Sequence, residues 1–448
     1  MKDEFQIHNL FRESPDRFLK EDPHLRRAAL QPFSYKSPLV GTPEFLKPGI
    51  LMVTGGRQVG KTTCLKQFMA KVLQEGLINP ENLAFLAGEL IRDDSELLRE
   101  MMAERKDKRG WQVIVIDEIS YVKDWDKAVK FLADAGSLEE VTLILTGSDC
   151  AILRDAMKRF AGRRGPSAQV DFVFYPLSFP ETVLIKNPEL SGLVEACRAH
   201  EGSSVLPSYQ EHAQNLESLF EEYLLHGGYL TAMADMMRTG SIEASTYRTY
   251  SDWLRGDILK HNRQEKYLLE LLRGVMKRYS TQISWGSLAK ELSIEHHKTV
   301  SDYVCILEDM NALIVLEALA EHNLTAAPKK AKKLYFEDPF IFHAVERMLG
   351  KSEPDCTSKL VETIAIAAFK RRYGKTYYIK GDKGEVDIAY VKGESFFPVE
   401  IKWTTQLRPE DLKQVMVYQN SLILGRQRCA SQIAHVPCLP LIYYLLKG

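Results

Sequence analysis

From Ile50 to Thr54 the chain reads Ile-Leu-Met-Val-Thr, and it passes at once into Gly55-Gly-Arg-Gln-Val-Gly60-Lys61-Thr62. No other stretch restricts the fold as strongly. A short apolar run bounded by glycine is the pattern of a strand buried in a parallel sheet. The eight residues after it fit G-x-x-x-x-G-K-[ST]. Gly55 and Gly60 let such a backbone curl until its N–H groups point at phosphate oxygens. Cys64, Leu65, Phe68 and Met69 then recur at helical spacing, so a helix starts at the loop and adds its positive end. In that arrangement Lys61 reaches the β- and γ-phosphates of ATP and the Thr62 hydroxyl ligates Mg²⁺, with Thr63 completing the nucleotide-binding set.

Four further strand-like runs follow, separated by helical ones: Leu83–Leu86, Val113–Ile116, Val141–Thr146 and Val170–Tyr175. Such alternation predicts an α/β core with a parallel sheet covered by helices. The third strand of the five runs straight into Asp117-Glu118, which places two carboxylates at its C-terminal end, beside the phosphate loop. Asp117 would hold Mg²⁺ through water and Glu118 would polarise the attacking water as general base. Ser148, in Leu145-Thr-Gly-Ser148, is the candidate sensor of the γ-phosphate. Ala161-Gly-Arg-Arg-Gly165 presents an arginine on a glycine-flanked turn, and Arg163 is the candidate finger toward a neighbouring subunit's nucleotide.

Length and charge bound the rest. The 448 residues suffice for about three domains. The formal net charge is -1, so no global field selects a partner. From Cys356 to the end, however, 14 Lys and Arg stand against 8 Asp and Glu, which suits contact with a polyanion or a solvated surface. The N-terminus is charged and no run of roughly 18 apolar residues occurs, so neither a signal peptide nor a membrane span is expected. Seven cysteines without a C-x-x-C pair fit a reducing cytoplasm.

The expected organisation is a proline-punctuated leader over 1–45, the ATPase core over 46–180 and a helical lid over 181–263. Arg255 lies in the lid as a surface arginine or a phosphate contact. Residues 264–350 read as a winged-helix domain. Amphipathic helices at Tyr267–Met276, Ser287–Leu292 and His297–Asp309 precede two short strands, Leu313–Leu316 and Lys333–Phe336, that can pair as a wing. Lys298, Thr299 and Ser301 open the third helix and could meet DNA, although Asp302, Glu308 and Asp309 make that helix acidic.

A second chemical centre falls in residues 351–448. A helix around Leu360–Arg371 carries Glu362, and strands follow at Thr376–Ile379, Gly384–Tyr390 and Phe397–Trp403. Glu400 and Lys402 are two apart on a strand and share a face. Asp387 lies on the preceding strand, so the two carboxylates can converge. They repel unless a cation neutralises them, and Mg²⁺ or Mn²⁺ suits such oxygen ligands. Lys402 beside the metal could orient or deprotonate a water, and Glu362 could complete the shell. Leu412–Leu424 is expected as a helix holding Gln414-Val-Met-Val-Tyr418.

Two resemblances follow. The run from Gly55 through Leu145–Ser148, Ala161-Gly-Arg163 and Tyr175-Pro-Leu-Ser-Phe179, with His226-Gly-Gly-Tyr229 in the lid, resembles the AAA+ ATPases of bacteria and archaea that carry a DUF4143 region downstream. That resemblance covers about residues 35–350 and implies a ring-forming, hexameric ATPase. The acid of Val386-Asp387, the Glu400-Ile-Lys402 element and Gln414-x-x-x-Tyr418 resemble, in that order, the PD-(D/E)XK nucleases of the RecB-like branch. This second resemblance implies a nuclease-like α/β domain and metal-dependent cleavage of DNA, with Gln414 and Tyr418 supporting the active site or the strand. The other reading is a nucleotide-gated scaffold whose nuclease-like domain only holds DNA or protein.

Overall fold

The computed structural model describes residues 3–351, 355–404 and 406–448. The chain divides into two compact units, Met1–Tyr175 and Pro176–Gly448. Among the described residues no helix is long and apolar enough to cross a membrane.

The first unit opens with two short helices, α1 (Pro15–Glu21) and α2 (Pro23–Ala29). Ser14 caps α1 by accepting from Arg17 N, and Asp22 caps α2 by accepting from His24 N and Leu25 N. Five strands follow: β1 (Gly49–Thr54), β2 (Leu83–Ala87), β3 (Gln112–Asp117), β4 (Val141–Gly147) and β5 (Asp171–Val173). They form one parallel sheet in the order β2-β3-β4-β1-β5. The fifth strand is shorter than the apolar run Val170–Tyr175 suggests. Helices α3 (Lys61–Gln74), α4 (Asp94–Arg105), α5 (Trp125–Asp134) and α6 (Cys150–Lys158) connect the strands. The hydrophobic core lies where Ile114, Ile116, Leu143 and Leu145 meet Leu97, Met101, Trp125, Val129 and Leu132. The strands read as unbroken apolar runs because both faces are covered.

The leader is fixed to this unit by polar groups used as backbone substitutes. Asn9 donates to Phe85 O and accepts from Phe85 N, each at 2.8 Å, and so supplies the open edge of β2 with the bonds a further strand would make. Lys66 of α3 and Asp22 of the leader, both fully buried, pair at 3.3 Å. The Lys66 ammonium lies 3.7 Å from the centre of the Phe85 ring.

The second unit begins with helices α7 (Phe179–Lys186), α8 (Ser191–Ala199), α9 (Pro207–His226), α10 (Leu230–Thr239) and α11 (Ala244–Lys260). Next come α12 (Glu265–Lys277), α13 (Trp285–Glu291) and α14 (His297–Asp309), then β6 (Leu313–Leu316), β7 (Leu319–Ala320), β8 (Thr325–Ala326) and β9 (Lys333–Phe336). The two strands expected as a wing pair with each other: β6 runs antiparallel to β9, Leu313 opposite Phe336 and Leu316 opposite Lys333. The small hairpin of β7 and β8 sits between them in sequence. Helices α15 (Pro339–Met348) and α16 (Thr357–Tyr373) lead to a six-stranded sheet made by β10 (Thr376–Gly381), β11 (Gly384–Lys392), β12 (Ser395–Lys402), β13 (Leu422–Gly425), β14 (Ser431–Ile433) and β15 (Val436–Pro440). The order is β10-β11-β12-β13-β15-β14. The first three strands are antiparallel, and β13 adds parallel to β12 and to β15. Helix α17 (Leu441–Leu446) closes the chain.

The expected helix over Leu412–Leu424 does not form. Two 3-10 turns, Pro409–Leu412 and Val415–Val417, are followed by strand β13. Leu412 and Val415 still share one apolar face and pack on the sheet with Ile379, Val386 and Ile423. A four-residue apolar run such as Leu422–Gly425 carries no periodicity that separates strand from helix, and here its parallel pairing with β12 decides.

Candidate functional site

The first centre lies at the C-terminal ends of β1, β4 and β3, which are neighbours in the sheet. Gly60, at φ 103°, turns the loop into α3, whose first turn has no side-chain cap. The leading N–H groups of a 14-residue helix are thus left for an anion. Lys61 is buried and donates to Gly55 O at 2.9 Å and Gly56 O at 2.8 Å, so its ammonium lies back along the loop. Its Nζ is 3.9 Å from Glu118 Oε1.

One chain of hydrogen bonds joins the remaining groups. Thr62 Oγ1 donates to Asp117 Oδ2 at 2.7 Å, and Thr146 Oγ1 donates to Asp117 Oδ1 at 2.5 Å. Thr146 also accepts from Glu118 N at 3.0 Å. Ser148 donates from its N and its Oγ to Glu118 Oε2, each at 3.2 Å. Glu118 itself has φ 51°, a left-handed conformation rarely adopted by a residue with a side chain. Gly88, at the end of β2, leaves room for that turn: a Cβ there would lie 2.6 Å from Glu118 O and 2.9 Å from Asp117 O. The donor set of one hydroxyl and one carboxylate suits Mg²⁺ beside a triphosphate.

Lys61, Thr62, Asp117, Glu118 and Ser148 therefore stand together. Ser148 faces Glu118. Arg163 is engaged within its own chain, paired with Asp134 at the end of α5, and is about one-third exposed. Its neighbour Arg164 grips Asp171 and Val170 O, which fixes β5 to the turn. Sequence reasoning passes over Thr146, whose two bonds depend on the neighbours β4 has in the sheet.

The second centre is built by α16, β11, β12 and, beyond expectation, β9. The register Ile388–Val399 brings Asp387 beside Glu400. Between Ile379–Val386 and Tyr377–Ala389 the β10–β11 ladder shifts, a bulge that sets Asp387 out of line. Asp387 Oδ2 instead accepts from Ile401 N at 2.9 Å. Lys402 Nζ lies 2.7 Å from Glu400 Oε1, while Glu400 Oε2 is buried with no hydrogen-bond partner. Glu362 accepts from the Tyr335 hydroxyl.

Lys333 enters among these acids. It is 4% exposed, and its Nζ is 3.0 Å from Glu385 Oε2, 3.8 Å from Glu362 Oε1 and 3.8 Å from Asp387 Oδ1. Burial, and then the Asp387 charge, push both the Glu362 and the Glu400 carboxyls up to about 8. Burial alone would lower the Lys402 ammonium, but Glu400 and Asp387 outweigh it and hold it above its ordinary value. With its ammonium favoured and Glu400 at 2.7 Å, Lys402 as it lies is set to donate or orient.

The oxygen-only donors Glu362, Asp387 and Glu400 and the orphaned Glu400 oxygen fit Mg²⁺ or Mn²⁺ in chemistry. As the side chains lie, no group of three acids, histidines or cysteines among the described residues is arranged to grip an ion. Gln414 and Tyr418 are not bonded to this cluster. Gln414 accepts from Lys383 N at 3.0 Å and donates to the Tyr418 hydroxyl, which donates to Glu321. They brace the β10–β11 hairpin, because the chain turns at Gln414 where a continuous helix was expected. Lys333, Tyr335 and Glu385 are the members sequence reasoning misses. A lysine opening the strand Lys-Leu-Tyr-Phe is the signal that could have drawn attention to the first two.

Residues 47–183 match the family model of an AAA domain, and residues 217–355 match a domain of unknown function, DUF8612, where a DUF4143 region was expected. No curated protein matches the chain. Solved structures similar to it include the Walker-type ATPase PABY2304 of Pyrococcus abyssi, at 15% identity over 66% of this chain and 91% of that one, with a TM-score of 0.43. Others are the Aeropyrum pernix ORC1 protein in complex with DNA (15%, 74% and 96%, TM-score 0.32) and the Thermotoga maritima RuvB Holliday junction branch migration motor (15%, 76% and 97%, TM-score 0.28). The AAA domain match thus takes in all five strands of the first unit's sheet and ends inside α7.

Proposed function

We propose that the chain is an ATP-driven DNA-processing enzyme, in which nucleotide hydrolysis in the first unit is coupled to Mg²⁺- or Mn²⁺-dependent phosphodiester cleavage by the second. The observation that supports it is the presence, in one chain, of two separate gatherings of acids, hydroxyls and a lysine suited to phosphate chemistry.

In the first centre the loop amides and Lys61 would hold the phosphates, and Thr62 with Asp117 would hold the cation. Thr146 keeps Asp117 and Glu118 in place. Glu118, steadied by Ser148, accepts the proton of the attacking water. Arg163 would leave Asp134 for the nucleotide of a second copy, which makes the assembly, expected as a hexamer, part of this proposal. In the second centre a divalent cation would supply Lewis acidity toward the scissile phosphate. Asp387, Glu400 and Glu362 would hold it. Lys402 would orient the water and offset charge on the phosphate, and the exposed basic residues of the same region would hold the DNA backbone.

A Lys61→Ala variant should lose ATP turnover and keep nucleotide-independent cutting, while Lys402→Ala should do the reverse, measured on labelled linear, single-stranded and branched DNA. Intact protein that cuts none of these with Mg²⁺ or Mn²⁺ removes the nuclease half. The second reading is a nucleotide-gated scaffold, and the position of Lys333 among the acids favours it. ATP turnover indifferent to DNA would support that reading.

A further inference from the structure

Lys333 reaches the second centre from β9, as Tyr335 does, and its placement has a direct consequence for metal loading. A lysine at 4% exposure is costly to bury unless it is paired. Its partners come from α16 and β11, at 3.0 Å for Glu385 and 3.8 Å for both Glu362 and Asp387. Only the first distance is a hydrogen bond; toward the other two, Nζ stands as a charge equally distant from one oxygen of each. Those two carboxylates, with Glu400, are the oxygens a divalent ion would use. Tyr335, two residues on along the strand, anchors the same wall by donating to Glu362. Glu400 meanwhile keeps a buried oxygen with no partner, which points to a ligand that is not a protein group.

We propose that Lys333 is a tethered counter-ion occupying the cation position of this cluster, so that a divalent ion enters only as the Lys333 ammonium leaves. This rests on the metal-dependent reading of the second centre. A second cation brought beside Glu362 and Asp387 would meet the repulsion of the Lys333 ammonium, and the lysine's advantage is that it is covalently held there. Lys333 is the first residue of β9, directly after the wing loop that carries the exposed Lys329 and Lys330. Lys332 before it bridges Ile283 through two 2.8 Å backbone bonds, so what must yield is the lysine side chain and not the strand.

The experiment uses the full chain without nucleotide and titrates Mn²⁺, reading free Mn²⁺ by electron paramagnetic resonance. Lys333→Met should bind Mn²⁺ at least tenfold more tightly than the wild type, Lys333→Arg should behave as the wild type, and adding Glu400→Gln to Lys333→Met should erase the gain. On the wild-type protein itself, acetylation of Lys333 followed by mass spectrometry should rise severalfold when Mn²⁺ is added, and should stay low in Glu400→Gln; this arm does not depend on any Lys333 variant folding. Mn²⁺ binding that depends on Glu400 but is no tighter in Lys333→Met, or that leaves Lys333 acetylation unchanged, overturns the proposal and leaves the metal site standing. Absence of any Glu400-dependent binding in every variant overturns the metal site itself.

Discussion

Thr146→Val tests the architecture of the nucleotide centre more sharply than removal of Lys61. The threonine is fully buried on β4. Its hydroxyl donates to Asp117 at 2.5 Å and accepts from Glu118 N at 3.0 Å. Valine has nearly the same shape and can do neither. Losing a hydrogen bond to a charged group costs about 1.5–3 kcal/mol, and leaving the Glu118 N–H unmatched costs about 1–3 kcal/mol more. The methyl that replaces the hydroxyl returns about 0.8 kcal/mol. The expected loss is therefore about 2–5 kcal/mol, concentrated at the turn where Glu118 holds a left-handed backbone that itself stores about 1–3 kcal/mol. Hydrogen exchange in peptides spanning β3 and β4 reads the local loss, and urea unfolding reads the global one. ATP turnover should fall tenfold or more, about 1.4 kcal/mol of barrier, with nucleotide affinity changed little. Ser148→Ala is the control: its two contacts to Glu118 are both 3.2 Å, one survives on the backbone, and the cost should stay under about 1 kcal/mol. The reasoning is refuted if Thr146→Val stays within twofold of wild-type turnover, or if Ser148→Ala proves the more damaging of the two.

Gly88→Ala should cut ATP turnover without touching the phosphate loop, because its Cβ meets Glu118 O at 2.6 Å and displaces the acid turn; turnover at saturating ATP decides it. Lys66→Met should cost about 3–5 kcal/mol in urea unfolding by leaving Asp22 buried alone, and Lys66→Met with Asp22→Asn should recover much of that loss while keeping the cap on α2. Burial pushes the Asp338 carboxyl up to about 6, while its backbone donors Gly228 N and Phe340 N oppose the rise. The folded state thus keeps this proton after the unfolded chain has released it. Stability from this group is present in full below the unfolded value and is lost as pH rises through about 6, by about 3 kcal/mol. The difference between wild type and Asp338→Asn should show that slope between pH 4 and 6, and a flat difference would refute it. Gln414→Ala should loosen the β10–β11 hairpin by about 1–2 kcal/mol while leaving Mn²⁺ binding in place, as thermal unfolding with and without the ion would show.

What could be read from the residues follows the range over which each signal acts. The strand, loop and helix at Ile50–Gln74 are legible because every cue is local: apolar run, glycines, lysine, helical spacing. The acid pair is legible because a parallel sheet forces strand ends together. The wing is legible because its two strands are apolar runs bounded by polar loops. Thr146 is not, since its importance depends on β4 lying between β1 and β3, an order no local pattern states. The hairpin of β11 and β12 gives Glu400 and Lys402 a common face by period alone, but the bulge that re-aims Asp387 leaves no mark in that alternation. The charge of the second centre shows most clearly where segment-by-segment reading fails. Residues 356–448 carry a surplus of basic side chains, which suggests a polyanion surface, yet within them only Lys402 pairs with an acid of the cluster Glu362, Glu385, Asp387 and Glu400 closely enough to hydrogen-bond, at Glu400. The cation that offsets three of those acids, Lys333, belongs to the preceding stretch of chain. Net charge counted along a sequence is a statement about its average field, whereas metal affinity is set by which few charges share a volume a few ångströms across. The affinity of this cluster for Mn²⁺ should therefore respond to Lys333 and be nearly blind to removal of the exposed Lys329 or Lys330, although all three are one charge in the count.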